Sequence, residues 1–162
     1  MLCFGGIALK ILVDADACPV KNIIERTAKK FGIPVVMFID SSHILSSEYS
    51  EIVTVGQGKD AVDIALINRA EPGDIVVTQD YGVAALALGK GAYAVNNFGT
   101  VFSDKNIDQM LFERHISAKI RRSGGRLCSF HKRTKKNDEQ FEQSLVRLIE
   151  KLLNTGKGAD QH

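Results

Sequence analysis

A short apolar run that stops at two aspartates is the feature of this chain that most restricts its fold. Residues 11–13, Ile-Leu-Val, form the centre of a predicted buried parallel strand over 8–14, and Asp14 and Asp16 close it. Pro19 fixes its own φ and has no N–H, which suits the first turn of a helix. Strand, turn and helix in this order predict the start of an α/β fold. Both aspartates then lie at the carboxyl end of a strand, where open α/β sheets bind ligands.

The rest of the chain continues this alternation of apolar strands and amphipathic helices. The remaining apolar runs predict four further strands, at 33–39, 52–55, 75–78 and 92–95. Helical spacing predicts helices between the strands, at 19–30, 59–70 and 83–88. This order indicates βαβ units and a mainly parallel sheet with helices on both faces. From residue 103 the pattern is helical, and Asn137 is the predicted N-cap of the last helix.

Length and composition predict a single domain. We expect it to span residues 1–154 of the 162, with a helical extension from about 103 and a disordered tail over 155–162. The net charge of +2 is too small to predict a partner. Three scattered cysteines give neither a zinc pattern nor a disulfide framework, so a reducing, cytoplasmic setting is expected. No signal peptide is recognised, and no apolar run approaches the roughly 18 residues of a membrane span.

Aspartates from three segments are predicted to meet at one edge of the sheet. Asp14 and Asp16 follow the first strand, Asp80 follows the fourth, and Asp60 and Asp63 open the helix after the third. Two carboxylates about 4 Å apart repel by roughly 4 kcal/mol at an effective dielectric near 20, so such a cluster needs protons or a cation. Oxygen ligands favour Mg²⁺ or Mn²⁺, ions that can activate water and clamp a phosphodiester.

A structural role is the alternative for each of these carboxylates. Asp60 and Asp63 fit the first turns of a helix, where the helix dipole favours negative charge. Asp80 fits an N-cap, and Asp14 and Asp16 fit a turn at the end of a strand. Convergence of three separate segments is what favours a metal site over five unrelated structural roles.

Positive charge is concentrated in the C-terminal third. Nine basic residues fall between 114 and 136, and Phe130 and His131 lie among them. Such a patch predicts sequence-independent contacts to phosphates, and an aromatic ring could stack on an unpaired base. A solvated helix end followed by a loop is the alternative. The candidate nucleic-acid-binding residues are Arg114, Lys119, Arg121, Arg122, Arg126, Lys132 and Arg133.

Four segments resemble the signature segments of the YaiI/YqxD family, a bacterial family. They are residues 11–19, 56–63, 74–80 and 121–125, and the resemblance covers roughly residues 9–150. The family is similar to PIN-like and NYN-like domains, which are metal-dependent nucleases that mostly cut RNA. The resemblance implies a three-layer PIN-like (Rossmannoid) α/β fold with a mainly parallel five-stranded sheet. It also implies that the catalytic acids are Asp14, Asp63 and Asp80.

Two segments depart from the expected pattern. The glutamate found in many PIN nucleases has no clear counterpart, although Glu48 and Glu51 are candidates. Residues 127–130, Leu-Cys-Ser-Phe, stand where a Gly-Pro pair usually follows in the family. The second departure affects any role of the C-terminal loop but leaves the acidic residues untouched.

The function hypothesis is hydrolysis of phosphodiesters in RNA or single-stranded nucleic acid. Its metal would be Mg²⁺ or Mn²⁺, and a homo-oligomer is compatible with the sequence. A protein that binds RNA without cutting it is the first alternative. The second is a phosphatase of the haloacid dehalogenase type, because Asp14-Ala15-Asp16 resembles an aspartyl nucleophile motif. Cys18 stands against this second alternative, since Thr or Val is expected near its position. The candidate metal ligands are Asp14, Asp16, Asp60, Asp63 and Asp80.

Overall fold

The computed structural model describes residues 9–16, 18–124 and 132–159 and contains one parallel sheet. The strands lie side by side in the order β3-β2-β1-β4-β5, and each neighbouring pair is parallel. This confirms the predicted α/β class with a five-stranded sheet. The elements in chain order are β1 (Ile11–Asp14), α1 (Lys21–Phe31), β2 (Val35–Asp40), β3 (Glu51–Val55), α2 (Lys59–Arg69), β4 (Ile75–Val77), α3 (Tyr81–Gly89), β5 (Tyr93–Val95), α4 (Asp104–Arg122) and α5 (Lys135–Ala159).

Buried apolar side chains cover both faces of the sheet, which gives three layers. Ile11 and Val13 of β1 pack on one face with α1 and α5, which we call the α1/α5 face. Leu12 packs on the other face with α2, α3 and the start of α4, which we call the α2/α3 face. This alternation follows from the two-residue period of a strand. Because helices cover both faces, β1 is apolar at every position before its final aspartate.

The ends of two helices follow from local backbone chemistry. α1 ends at Gly32, whose φ of +67° lets its N–H donate to carbonyls of the last turn. The predicted N-cap of α5 is wrong, because the helix begins before Asn137. The Thr134 N–H donates to Asn137 Oδ1 at 2.9 Å, and the Asn137 N–H donates to Thr134 Oγ1 at 3.3 Å. Thr134 is therefore the cap, and Asn137 supplies the reciprocal bond three residues later.

The helical extension consists of α4 and α5, two long helices that pack differently. α4 starts at a capping box between Ser103 and Asn106, and Ile107 is its buried anchor. α5 continues to Ala159, and Leu152 and Leu153 are its last side chains that pack against the α1/α5 face. Within the described ranges, no helix is both long enough and apolar enough to cross a membrane.

Candidate functional site

The chain reverses its direction across the sheet between β1 and β4. From β1 it moves outward through β2 to β3, and it then returns to β4 and moves on to β5 at the opposite side. Such a switch point opens a crevice at the carboxyl ends of the two central strands. Asp14 is the last residue of β1, and Asp80 follows β4 by three residues. Both acids are thus placed at the border of this switch-point crevice.

Asp14 belongs to the α2/α3 face of the sheet. It lies two residues after Leu12, which is buried on that face, and successive side chains of a strand alternate between faces. The Asp14 side chain is half-buried. Burial is the main cause of the raised pKa of the Cys18 thiol, and the charge of Asp14 adds to it.

Asp80 is the N-cap of α3, as the structural alternative predicted. Its Oδ1 accepts hydrogen bonds from the N–H of Gly82 at 2.8 Å and of Val83 at 3.2 Å. The Asp80 N–H donates to Thr78 Oγ1 at 3.0 Å, which fixes the turn between β4 and α3. Thr78 therefore shapes the turn that directs the Asp80 carboxylate.

The two acids of α2 differ in their surroundings. Val62 and Leu66 anchor α2 to the α2/α3 face, and the helix contacts β1, β2 and α3. Asp63 follows Val62 and is half-buried, whereas Asp60 is exposed in the first turn. Asp60 thus fits a first-turn acid that complements the helix dipole. Asp63 is the α2 carboxylate placed closer to the protein interior.

A second group of side chains that could hold a metal ion comprises Asp16, Asp40 and His43, and of these only Asp16 is among the ligands predicted from sequence. The register pairs Asp14 with Phe38, so Asp16 comes level with Asp40 at the end of β2. Asp16 Oδ2 accepts from the Asp40 N–H at 3.2 Å, and His43 Nδ1 lies 3.3 Å from Asp16 Oδ1. His43 Nδ1 also lies 2.9 Å from Asp40 Oδ1. Among the described residues, these three offer ligand atoms that all lie within 4.8 Å of one another.

Hydrogen bonds determine the charge state of this second group. The Ser42 hydroxyl donates to Asp40, and this bond, together with those from His43 and the Ser42 N–H, lowers the Asp40 pKa to about 2. The hydrogen bond to Asp40 and the charge of Asp16 raise the pKa of His43. The imidazole is therefore protonated at a higher pH than an isolated histidine. Imidazole nitrogen is a ligand only when neutral, so a divalent cation here would compete with that proton.

Cys18 is a buried thiol next to the crevice. Its Sγ lies 3.9 Å from Asn97 Oδ1, and the side chain is almost fully covered. Burial is the largest cause that raises its pKa, although the Val20 backbone and the charges of Lys21 and Arg133 lower it. Burial and the raised pKa of the thiol disfavour a role for Cys18 as a nucleophile.

Alkylation of Cys18 should therefore be slow. In a Cys3→Ser/Cys128→Ser background, we expect the iodoacetamide rate at neutral pH to fall at least about tenfold below that of an exposed thiol, because the reactive thiolate is scarce and covered. The measurement is a time course by mass spectrometry, repeated after unfolding in urea to show full reactivity. A rate in the folded protein equal to that in urea would contradict the buried, neutral thiol.

The predicted basic residues divide into exposed and internally bonded ones. Arg133 is held internally, since it donates to Asp138 at 2.6 Å and to the Asn97 carbonyl at 2.7 Å and lies over the Phe98 ring. Arg114 lies 5.8 Å from the ring centre of Tyr81, the residue after Asp80. Arg126 lies outside the described residues. The exposed members are Arg114, Lys119, Arg121, Arg122 and Lys132.

Comparison with known proteins identifies the family. The sequence profile described as "Uncharacterized BCR, YaiI/YqxD family" matches residues 12–151. This chain belongs to the YaiI/YqxD family. A UPF0178 protein of Ruminiclostridium cellulolyticum is 60% identical over 141 residues, which cover 87% of this chain and 92% of the relative. A UPF0178 protein of Clostridium acetobutylicum is 54% identical over 143 residues, which cover 87% of this chain and 97% of the relative.

A solved structure with a distant likeness is Rae1 (YacP) of Bacillus subtilis, in its W164L mutant form. The alignment covers 92% of this chain and 99% of that chain, with 15% identity and a TM-score of 0.41. At this TM-score the likeness does not establish a shared fold, so the fold assignment of this YaiI/YqxD protein is based on the sheet described above.

Proposed function

We propose that this YaiI/YqxD protein is a divalent-metal-dependent hydrolase of phosphodiesters in RNA or single-stranded nucleic acid. The observation that carries the proposal is the switch-point crevice, because Asp14 closes one of its border strands and Asp80 follows the other. Ligands of open α/β sheets bind at this position. The resemblance to PIN-like domains supplies the reaction class, since the same two residues match the family's acids.

The candidate donors are all carboxylates, whose oxygens are the ligand type that a hard divalent cation prefers. Asp14, Asp63 and Asp80 would hold Mg²⁺ or Mn²⁺, with Asp16 and Asp60 in support, and all offer carboxylate oxygens. The two N–H groups that bond Asp80 Oδ1 fix the direction of that carboxylate, as outer hydrogen bonds do for metal ligands. When bound, the ion would neutralise charge on the phosphate and favour ionisation of water.

Basic side chains beside the crevice would hold the nucleic-acid strand. Arg114 lies over Tyr81, one residue from Asp80, so the positive charge of α4 begins at the crevice. Arg121 lies seven residues further along α4, which is two turns, and therefore on the same side of the helix. Such residues contact phosphates without reading sequence, so we expect salt-sensitive binding with little sequence preference.

Metal binding is the first test. Calorimetric titration of the native chain with Mn²⁺ or Mg²⁺ should show binding, and Asp80→Asn should weaken it by about tenfold or more. Glu150→Gln is the matched control, since this carboxylate is exposed on α5 away from the crevice. His43→Gln distinguishes the two groups of ligands, because a loss there places the ion at Asp16 and Asp40. No binding by the native chain would remove the basis for hydrolysis.

Cleavage is the second test. A labelled single-stranded RNA should be cut by the native chain when Mn²⁺ is present, and Asp14→Asn should reduce the rate by about a hundredfold or more, because a direct ligand costs at least as much as an outer one. The Glu150→Gln control should keep the native rate. RNA binding without metal-dependent cutting would favour the non-catalytic alternative. A trapped phosphoaspartate at Asp14 would favour the phosphatase alternative.

A further inference from the structure

An apolar stripe on α4 faces solvent. Phe112, Ile116 and Ile120 follow one another at four-residue spacing, and their exposed fractions are 64%, 38% and 38%. Residues at this spacing lie on one side of a helix. In the part of the chain that the structure describes, Ile107 is the buried residue of α4, so most of the helix extends beyond the core. An exposed stripe of large apolar side chains indicates an interaction surface.

The stripe lies opposite the face of α4 that borders the crevice. Each residue turns about 100° around a helix, so Arg114 lies roughly 200° from Phe112. Arg114 contacts Tyr81 of α3, which marks the inner face of α4. The stripe around Ile116 therefore faces away from the crevice. Covering it would leave Arg114 and Arg121 available to the nucleic-acid strand of the proposed function.

Charge along α4 is polarised about the middle of the stripe. Asp108 and Glu113 lie in the half before Ile116, whereas all the charged residues in the half after it are basic. Arg114 falls in the first half, but it belongs to the inner face. Lys105 lies about two turns before Phe112, where the stripe begins. The basic residues of the second half are Lys119, Arg121 and Arg122.

We propose that the stripe binds the same stripe of a second copy of this chain, with the two α4 helices antiparallel. Antiparallel pairing about a two-fold axis through Ile116 sets Phe112 against Ile120 of the second copy. A two-fold interface uses the same patch on both copies and closes after two. The spacing of the stripe is symmetric about its central residue, as this arrangement requires.

The charges favour the antiparallel direction. Asp108 and Arg122 are fourteen residues apart, which is close to four turns, so they lie on nearly the same flank of the helix. In an antiparallel two-fold pair, equal flanks of the two helices face each other, so Asp108 approaches Arg122 and Lys119 of the second copy. A parallel pair would instead place the basic halves together, where like charges repel.

The interface is small, so the dimer should depend on concentration. The paired segment from Asp108 to Arg122 is about 22 Å long at 1.5 Å per residue. Three large apolar side chains per copy place it at the low end of specific interfaces. Sedimentation equilibrium of the full chain should therefore show the mass rising from 17.7 kDa toward twice that value as concentration increases.

Matched variants test the surface. Ile116→Asp should raise the dissociation constant at least about tenfold, because it places two like charges at the axis. Leu86→Asp is the control, since Leu86 is 58% exposed on α3 outside the stripe, and it should dimerise as the native chain does. Circular dichroism verifies that both variants remain folded. A native mass that stays at one copy, or equal losses in both variants, would overturn the proposal.

Cysteine cross-linking tests the geometry independently of affinity. In the Cys3→Ser/Cys128→Ser background, Ile116→Cys should form a disulfide with its own copy, since both lie at the axis. Phe112→Cys alone should not, but a mixture of Phe112→Cys with Ile120→Cys should. Self-linking of Phe112→Cys would contradict the antiparallel pairing. If an RNA oligonucleotide protected Ile116→Cys from alkylation while the chain remained a monomer, RNA and not a second copy would be the occupant of the stripe. That result would overturn the dimer proposal. Neither experiment depends on catalysis, so failure of the dimer proposal can be distinguished from failure of the proposed function.

Discussion

Asp74→Ala should lower the free energy of unfolding by about 3–5 kcal/mol, because it removes the buried counter-charge of a poorly exposed lysine and leaves only the exposed Glu71 beside it. Asp74 is fully buried and immediately precedes β4. Its carboxylate accepts from Lys10 Nζ at 2.6 Å, from the Lys10 N–H at 3.2 Å and from the Glu71 N–H at 2.9 Å. Alanine removes the acceptor for all three donors at once, and each donor then loses a hydrogen bond in a covered position.

Glu71→Ala is the matched control, because Glu71 contacts the same lysine. Its carboxylate lies 3.3 Å from Lys10 Nζ, but its side chain is 69% exposed. Exposed pairs of this kind contribute below about 1 kcal/mol. Urea unfolding followed by circular dichroism measures both variants. Losses of equal size would show that burial of Asp74 does not decide the strength of the contact.

Gly99→Ala should also destabilise the protein strongly, by about 2–6 kcal/mol. Gly99 has a φ of +88°, and an added Cβ would lie 2.8 Å from Ser144 Cβ and 3.2 Å from Phe141 Cα. Backbone strain and overpacking each cost about 1–3 kcal/mol, and here both apply. The Ser144 hydroxyl donates to the Gly99 carbonyl, so the substitution also disturbs the contact that docks α5 onto the loop after β5.

Gly32→Ala separates the two costs. Gly32 has a comparable φ of +67°, but an added Cβ would meet nothing within 4 Å. Only the left-handed conformation is then penalised, by about 1–2 kcal/mol. Thermal and urea unfolding of both variants should show the larger loss for Gly99→Ala. A loss at Gly32 that matches the loss at Gly99 would mean that the approach of α5 contributes nothing.

The central strands could be predicted from sequence because their signal is local. One apolar run ends at Asp14, and another is followed by Asp80. Each of these patterns predicts a buried strand and a polar edge. The N-cap at Asp80 was predicted as an alternative for the same reason, since a cap depends on only a few successive residues. The start of α5 shows that a local pattern can allow two caps, because Thr134 and Asn137 both fit an N-cap and only the structure shows which one is used.

The group around Asp40 could not be assembled by the same reasoning. Its contact with Asp16 spans 24 positions and depends on the register between β1 and β2, which no local pattern encodes. The sequence nonetheless indicates this edge, since the apolar residues 35–39 are also followed by an aspartate, Asp40. The predicted strand ended at residue 39, whereas β2 includes Asp40. Extending the predicted strand by one residue brings Asp40 to the same edge as Asp14.

α4 illustrates a second way in which a pattern is ambiguous. Ile107, Leu111 and Ala118 recur at helical spacing and suggest one apolar face, but the structure buries only Ile107 of these. A helix with apolar residues on two sides gives a weak periodic signal, because the two sets cancel. Only the packing against α3 shows which set faces inward. The remaining set then becomes evidence for a partner.

The position of β1 in the sheet has a consequence for how the polypeptide acquires its structure during synthesis. β1 is translated first, yet Ile11 pairs with Ile75 of β4, 64 positions later. Until that partner leaves the ribosome, a strand that is apolar on both sides has only one neighbour available. Contacts between such distant positions slow folding and prolong exposure to aggregation. The nascent chain should therefore depend most on chaperones before β4 has emerged.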